Sequence, residues 1–280
     1  MKNLILRTIF GAIYVALIVL SIVLGNETFF SSLFLLFLVL AILEFYRINK
    51  ADNILKYGGL ILSVYVYLIS GIMLFNIVDN SASLMPFATY TTASAFLLLV
   101  VSEIFKPDTN PVTNWGLLLF QLCWILLPFL CMLSMVSGTV DSRKYLLFAF
   151  IIVWTNDTGA YCVGSLLGKH KMIPRISPAK SWEGLAGGLC FSILAGVLLL
   201  NSPIGFISEP LPIWKTLILT VCIVLAATLG DLMESLVKRT VGVKDSGNIM
   251  PGHGGMLDRL DSMLLAAPVS MLILHILHII

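Results

Sequence analysis

Charged residues are scarce in this sequence. Asp, Glu, Lys and Arg make up only 11% of its 280 residues, whereas 59% are hydrophobic and the mean hydropathy is +1.00. A soluble domain carries about 25% charged residues, so this chain has too little charge to cover a globule with a wetted surface. The deficit argues against a soluble enzyme and a disordered chain. The net charge of +2 gives no reason to expect a nucleic-acid partner.

Several familiar motifs are missing as well. None of the five cysteines has a zinc-type Cys-x-x-Cys spacing, and all lie in apolar stretches, so small buried side chains are expected. The chain has neither a Walker-type G-x-x-x-x-G-K-[ST] nor a G-x-G-x-x-G motif, which excludes the soluble nucleotide-binding folds. The first apolar run is longer than a signal-peptide core and lacks an A-x-A site, which predicts a retained first span.

Long apolar runs replace these features. A membrane span needs about 20 mostly apolar residues, and the sequence predicts an all-α integral membrane protein with about nine transmembrane helices. They lie near residues 8–25, 29–46, 58–77, 87–105, 115–136, 145–168, 185–201, 216–237 and 262–280. Residues 1–137 then form an N-terminal region of five spans, and residues 138–280 form a C-terminal catalytic region of four spans with cytoplasmic loops.

The positive charges predict the orientation. With nine spans and a cytoplasmic N-terminus, fourteen of the seventeen lysines and arginines fall on the cytoplasmic side, and only Arg143, Lys144 and Lys215 fall opposite. The short connections favour a prokaryotic inner membrane over an organelle membrane. The first half is chemically quiet in this interpretation, because Glu44 and Glu103 stand near span ends and are expected at the membrane interface.

One acidic residue falls within a predicted span. Asp157, in the segment 154–161, lies near mid-membrane by count, where a carboxylate costs at least about 2.5 kcal/mol. It should therefore face a polar cavity or a partner. The alternative is a helix-packing cluster in which Asn156, Asp157 and Thr158 bond to neighbouring helices.

The loop 168–184 carries four cations, two prolines and one acid. Prolines fix the local backbone, which a simple cytoplasmic flank would not need, although such a flank is the alternative. Ser181, followed by Glu183, predicts a helix start, and the pair Gly187-Gly188 predicts close packing. Helix N-termini and nearby lysines bind phosphate well, so Lys180 and Ser181 are candidate phosphate-binding residues.

Ionisable residues are densest between positions 230 and 261. Asp231 and Glu234 share a helix face because they are three residues apart, and Asp258 and Asp261 repeat the spacing. Two such pairs can converge on Mg²⁺, which takes one or two carboxylates together with substrate phosphate oxygens. The alternative is a set of snorkelling or paired interface charges. The cations expected to hold phosphates here are Lys238, Arg239, Lys244 and Arg259.

His253, between glycines in this region, is expected to be structural, a phosphate donor or an acid–base group. Fixed cations, metal-binding carboxylates and a cytoplasmic opening together suit phosphoryl or nucleotidyl transfer to a lipid.

Three segments resemble one known family. The run Ser235-Leu-Val-Lys-Arg, followed by Lys244-Asp245, Gly252-His-Gly-Gly and Asp258-Arg-x-Asp261, closely resembles the signature of phosphatidate cytidylyltransferases, or CDP-diacylglycerol synthases. Residues 176–184 and 157–169 resemble two further motifs of that family. The resemblance implies a nucleotidyltransferase that converts CTP and phosphatidic acid into CDP-diacylglycerol and pyrophosphate in the lipid bilayer, and it leaves a homodimer open.

The resemblance also implies roles for individual residues. Asp231, Asp258 and Asp261 correspond to a metal site for Mg²⁺, with or without K⁺ beside it. The catalytic residues it implies are Asp231, Asp258, Lys244 and Arg259, and the substrate-binding residues are Lys180, Ser181, Lys238, Arg239, Ser235, His253 and Asp157. Ala179 and Ser246 depart from the family pattern and are expected to be peripheral. The alternatives are a CTP-dependent polyprenol or phytol kinase and an ion-coupled transporter.

Overall fold

The computed structural model describes residues 2–77, 84–106, 110–201, 206–247, 249 and 254–280, with side chains from residue 8 onward. The described residues form eleven α-helices and one two-stranded hairpin. The elements are α1 (Lys2–Val23), α2 (Glu27–Ile48), α3 (Asn53–Leu74), α4 (Met85–Ser102), α5 (Pro111–Gln121), α6 (Leu127–Ser137), α7 (Val140–Leu167), β1 (Lys171–Ile173), β2 (Ser177–Ser181), α8 (Trp182–Asn201), α9 (Ile213–Thr240), α10 (Leu257–Leu260) and α11 (Met263–Ile276).

Eight helical segments are long and apolar enough to cross a membrane, and the described side chains of α1 add a shorter apolar helix, Thr8–Val23. The predicted all-α membrane architecture is confirmed. The count of nine spans and the cytoplasmic N-terminus stay predictions. The predicted fifth span is one helical segment in which a π-helical turn, Leu122–Leu126, joins α5 to α6. The last helical segment begins at Leu257, earlier than the predicted residue 262.

Polar caps fix where several helices begin. Asn26, Asp52, Asn110 and Thr139 stand just before α2, α3, α5 and α7, and each side chain accepts a hydrogen bond from a backbone N–H of the first turn. Such caps satisfy N–H groups that have no partner inside the helix. The helix ends are therefore set by local sequence, even though the helices themselves are almost uniformly apolar.

Aromatic side chains on α2, α6 and α7 pack together in the hydrophobic core. Phe30 stacks on Phe34 with ring centroids 4.1 Å apart, and Phe34 meets the edges of Phe129 and Phe150 at 6.1 and 6.4 Å. All four rings are fully buried. Aromatic pairs of this kind stabilise a fold beyond the area that they bury, so α2 is held rigidly against the helix that carries Asp157.

The five cysteines do not follow the prediction of buried side chains. Cys123, Cys162 and Cys190 are exposed on the protein, and Cys131 and Cys222 are half-buried; all five are free thiols. An apolar run in a membrane protein does not imply burial inside the protein, because the outer face of such a helix also contacts apolar lipid.

Small residues let α7 and α8 approach closely. A Cβ atom on Gly159 would lie 3.1 Å from the Cα of Gly188, so the close packing predicted from Gly187-Gly188 is confirmed. The strands β1 and β2 pair antiparallel between these helices, with Lys171 opposite Ser181 and Ile173 opposite Ser177. The hairpin, which the sequence did not predict, holds the segment before α8 in a fixed shape.

Candidate active site

Four carboxylates from three helical segments meet at one cavity. Asp157 comes from α7, Asp231 from α9, and Asp258 and Asp261 from the start of the last helical segment. The cavity has a volume of about 350 Å³ and is also lined by Trp154, Arg259, Ser262 and the α1 residues Gly11, Tyr14 and Val15. The three acids of the predicted metal site, Asp231, Asp258 and Asp261, therefore lie together.

A glycine makes this meeting of helices possible. Gly230 precedes Asp231 on α9, and a Cβ atom at this position would lie 2.7 Å from the backbone oxygen of Asp261. Such a distance is too short for a real Cβ contact, so only glycine allows α9 to approach the Asp261 backbone this closely. The result is that Asp231 and Asp261 line the same wall.

A second, larger cavity shares Asp157 and Asp231 with the first. It has a volume of about 610 Å³ and lies between α7, α8, α9 and the hairpin. Its other lining residues include Asn156, Tyr161, Lys171, Ala179, Lys180, Ser181 and Thr228. Asp157 therefore faces cavities as predicted. Its neighbour Asn156 is buried, and the Thr158 hydroxyl donates to the Trp154 carbonyl within the helix, which fits the packing alternative for those two residues.

Lys180 joins the hairpin to the acidic wall. Its Nζ lies 2.7 Å from Asp231 Oδ2 and donates to the Thr228 carbonyl oxygen at 3.3 Å. The Ser235 hydroxyl donates to Asp231 Oδ1 at 3.3 Å. Ser181, next to Lys180, lines the larger cavity, and its Oγ accepts a hydrogen bond from the Gly184 N–H at 3.1 Å. The predicted helix start at this serine is confirmed.

Asp258 is the most extensively hydrogen-bonded of the four carboxylates. It accepts from Lys238 Nζ at 2.7 Å, from the Ser246 N–H at 2.9 Å and from the Gly255 N–H at 2.7 Å. Lys238 also pairs with Glu234, which is fully buried and lines neither cavity. Of the two predicted acidic pairs, Glu234 is thus the one member that does not line the cavity, and its partner is a lysine.

Ser246 is not peripheral, contrary to the expectation. Its backbone N–H donates to Asp258, and its hydroxyl donates to Glu44 Oε2 at 3.1 Å. Glu44 is 2% exposed, and Arg47 Nη2 donates to the Ser246 carbonyl oxygen at 2.6 Å. Glu44, which was expected at the membrane interface, is buried inside the protein, because α2 turns this residue inward onto the signature segment.

The remaining candidates are placed as follows. Arg259 lines the smaller cavity, and its backbone oxygen accepts from the Tyr14 hydroxyl at 3.1 Å. Arg239 and Lys244 are exposed and line neither cavity. His253 lies outside the described residues, so its predicted role stays a prediction.

The carboxylate oxygens of this site suit a hard divalent cation. No lysine or arginine nitrogen among the described residues lies within 4.0 Å of the carboxylates of Asp157 or Asp261. In the same described ranges, no three metal-ligating side chains form a ready-made group. Mg²⁺ does not need one, because it takes one or two carboxylates and completes its shell with water and phosphate oxygens. The acidic wall is thus suited to a metal that arrives with a phosphorylated substrate.

This architecture defines an integral membrane protein with a polar site inside its helix bundle. The apolar helices enclose carboxylates, fixed cations and two adjoining cavities. The model of the cytidylyltransferase family matches residues 5–277, and the chain belongs to this family.

Individual relatives agree with that membership. The chain is similar to the phosphatidate cytidylyltransferase of Staphylococcus saprophyticus, at 33% identity over 77% of this chain and 90% of that protein. The corresponding protein of Staphylococcus epidermidis is 34% identical with the same coverage. That of Staphylococcus haemolyticus is 48% identical, over 46% of this chain and 48% of its own length. The similarity to this family predicted from the signature is confirmed.

Proposed function

We propose that this protein transfers the cytidylyl group of CTP to phosphatidic acid, giving CDP-diacylglycerol and pyrophosphate. The observation that carries the proposal is the pair of cavities that share Asp157 and Asp231. Two phosphorylated substrates need two spaces that adjoin at one charged wall. Membership of the cytidylyltransferase family and the names of its similar relatives support the same reaction.

The reaction needs positioning more than acid–base catalysis. A phosphate oxygen of phosphatidic acid attacks the α-phosphorus of CTP, a new P–O bond forms, and the bond to the bridging oxygen breaks so that pyrophosphate leaves with the electron pair. The attacking oxygen is already anionic near neutral pH, so no strong base is required. The main obstacle is repulsion between two anions, which fixed positive charge reduces.

Lysines and arginines supply that charge. Lys180 lines the larger cavity and Arg259 the smaller one, so these two would contact substrate phosphates directly. Lys238 contacts Asp258 and would bind phosphate or hold that carboxylate in place. We assign Arg239, Lys244, Ser181, Ser235 and His253 to substrate binding or catalysis on the family signature.

Asp231, Asp258 and Asp261 are the residues that would hold Mg²⁺, with Asp157 facing the same space. When bound, the metal would neutralise charge on the phosphates and polarise the reacting P–O bonds. A K⁺ ion beside it is part of the proposal. The absence of a cationic side chain within 4.0 Å of Asp157 and Asp261, among the residues described, supports a metal as their counter-charge.

The location of the site follows from charge asymmetry. We propose nine spans, a cytoplasmic N-terminus and an active site that opens to the cytoplasm of a prokaryotic inner membrane, since lysines and arginines concentrate on cytoplasmic faces. Residues 1–137 would then support the catalytic region 138–280. Native-mass measurement in detergent would test whether two chains form a homodimer.

The direct test is incubation of the purified protein with CTP, phosphatidic acid and Mg²⁺. We expect a lipid-linked CDP product and an equal amount of pyrophosphate. Release of CDP with a phosphorylated lipid would instead identify a kinase. Solute flux in proteoliposomes without any lipid product would identify a transporter.

A further inference from the structure

Glu44 is a buried acid without an obvious reason to be charged. It lies on α2 in the apolar first half and is 2% exposed. No lysine or arginine nitrogen in the described ranges lies within 4.0 Å of its carboxylate. A carboxylate removed from water is costly unless hydrogen bonds compensate for its lost hydration, so the partners of Glu44 should indicate what it does.

Its hydrogen-bond partners, Ser246 and Leu257, both belong to the chain segment that follows α9. Oε2 accepts a hydrogen bond from the Ser246 hydroxyl at 3.1 Å and another from the Leu257 N–H at 2.9 Å. Leu257 is the first residue of α10 and directly precedes Asp258. Arg47, one turn further along α2, donates to the Ser246 carbonyl oxygen at 2.6 Å. One end of α2 therefore contacts both sides of the loop between α9 and α10.

Asp258 bonds to the same segment through different groups. It accepts from the N–H groups of Ser246 and Gly255. Glycines at 247 and 255 leave space for Glu44, because a Cβ atom at either position would overlap its carboxylate oxygens. The glycine of the signature at position 255 thus has a physical explanation, which is the close approach of a carboxylate from α2.

We infer that Glu44 is a positioning residue for the active site, which fixes Asp258 and Arg259 by holding Ser246 and Leu257. The inference rests on the proposed function. Glu44 touches no substrate space and lines neither cavity. Its effect passes through the loop, so its loss should misplace the reacting groups without removing any of them. Misplacement by about 1 Å can cost a factor of about 100 in rate.

The test compares three variants in reconstituted membranes. Glu44→Ala removes both acceptor bonds, Glu44→Gln keeps an acceptor oxygen of the same reach, and Glu27→Ala is the matched control. Glu27 lies at the other end of α2 and pairs with Arg143 at 2.9 Å. We expect Glu44→Ala to lower kcat about 100-fold with KM for CTP within about twofold. Glu44→Gln should recover at least tenfold of that loss, and Glu27→Ala should retain near wild-type activity.

A second readout does not depend on turnover. Hydrogen exchange of the peptide that contains Ser246, Gly255 and Leu257 should accelerate in Glu44→Ala and stay at the wild-type rate in Glu27→Ala. A kcat within threefold of wild type, unchanged exchange, or no recovery in Glu44→Gln would each overturn the inference. The wild-type protein in the same assay separates the two ideas, because absence of CDP-lipid from the wild type would overturn the proposed function itself.

Discussion

The two halves of the chain both bury charged groups, but they arrange them differently. In the first half, Lys106 Nζ lies 2.7 Å from Asp52 and 2.5 Å from Glu103, and the Asn114 amide donates to both carboxylates at 3.3 and 2.9 Å. In the second half, Asp157 and Asp261 line a cavity, and among the residues described no lysine or arginine nitrogen lies within 4.0 Å of either carboxylate.

What sets the second half apart is its unpaired carboxylates, Asp157 and Asp261, which share a cavity with the lysine-paired Asp231 and Asp258. A carboxylate that is paired and hydrogen-bonded inside the protein offsets its own desolvation cost and ties helices together. Carboxylates that line a cavity in a membrane protein are costly unless they have a partner. Their presence therefore indicates a ligand that supplies the missing counter-charge. Glu44 belongs to the first half by position and to the second by its contacts.

The largest effect should come from the shared wall of the two cavities. We expect Asp231→Asn to lower turnover about 1,000-fold, because it removes a carboxylate that faces both cavities and would hold the metal. The measurement is CDP-lipid formation at saturating CTP and Mg²⁺, with insertion and folding checked by detergent-solubilised yield. Turnover within tenfold of wild type would contradict the metal assignment.

The matched variant in the first half is Glu103→Gln. Its side chain is 2% exposed within the closed network. We expect activity within about threefold of wild type but a loss of about 3 kcal/mol in stability, as for other broken buried ion pairs. A large loss of activity at full stability would remove the distinction between the halves.

The next effect concerns the cation nearest to Asp231. We expect Lys180→Met to lower kcat/KM for CTP about 100-fold, since Lys180 pairs with Asp231 and lines the larger cavity. Lys215→Met is the control, because Lys215 donates to the Leu277 carbonyl oxygen at 2.7 Å and lines neither cavity. Equal losses in both variants would argue against a specific role for Lys180.

A smaller effect should follow from a change that removes no functional group. Gly230→Ala places a Cβ atom against the Asp261 backbone oxygen, so α9 must shift, and we expect about a tenfold fall in kcat. Gly116→Ala is the control, since a Cβ atom there would contact nothing within 4 Å. Steady-state kinetics of both variants would check the pair, and wild-type rates in both would show that the close approach is not needed.

The smallest effect is a pH dependence in the first half. Burial alone would raise the pKa of Asp52, but hydrogen bonds from Lys106 and the Leu55 N–H outweigh it and lower the pKa. Burial alone would lower the pKa of Lys106, but its bonds to Asp52 and Glu103 raise it. The stabilisation should therefore be full between about pH 4 and 10, fading as pH falls through the Asp52 pKa or rises through the Lys106 pKa. The difference in unfolding midpoint between wild type and Asp52→Asn, followed against pH, should be flat near neutrality. A maximum difference outside that window would contradict the closed network.

The sequence predicted many residues of the candidate site, but not the Glu44 contacts that hold the loop beside it. Asp231, Asp258 and Lys180 could be found because motif spacing and charge density are local properties of the chain. Glu44 could not, since its contacts span 202 and 213 positions and depend on how α2 packs against the rest of the bundle. The span count is equally difficult, because Thr8–Val23 is apolar but shorter than the eight segments that are long enough to cross a membrane. The hairpin was missed because β1 and β2 are three and five residues long.

The most direct measurement follows the two ends of the CTP triphosphate with separate labels. We predict that label in the α-phosphate enters the lipid and that label in the γ-phosphate leaves as pyrophosphate. Asp231→Asn should lower both rates about 1,000-fold, whereas Glu103→Gln should retain them. Entry of the γ-label into lipid, or undiminished transfer of the α-label in Asp231→Asn, would contradict cytidylyl transfer at the carboxylate wall of the second half.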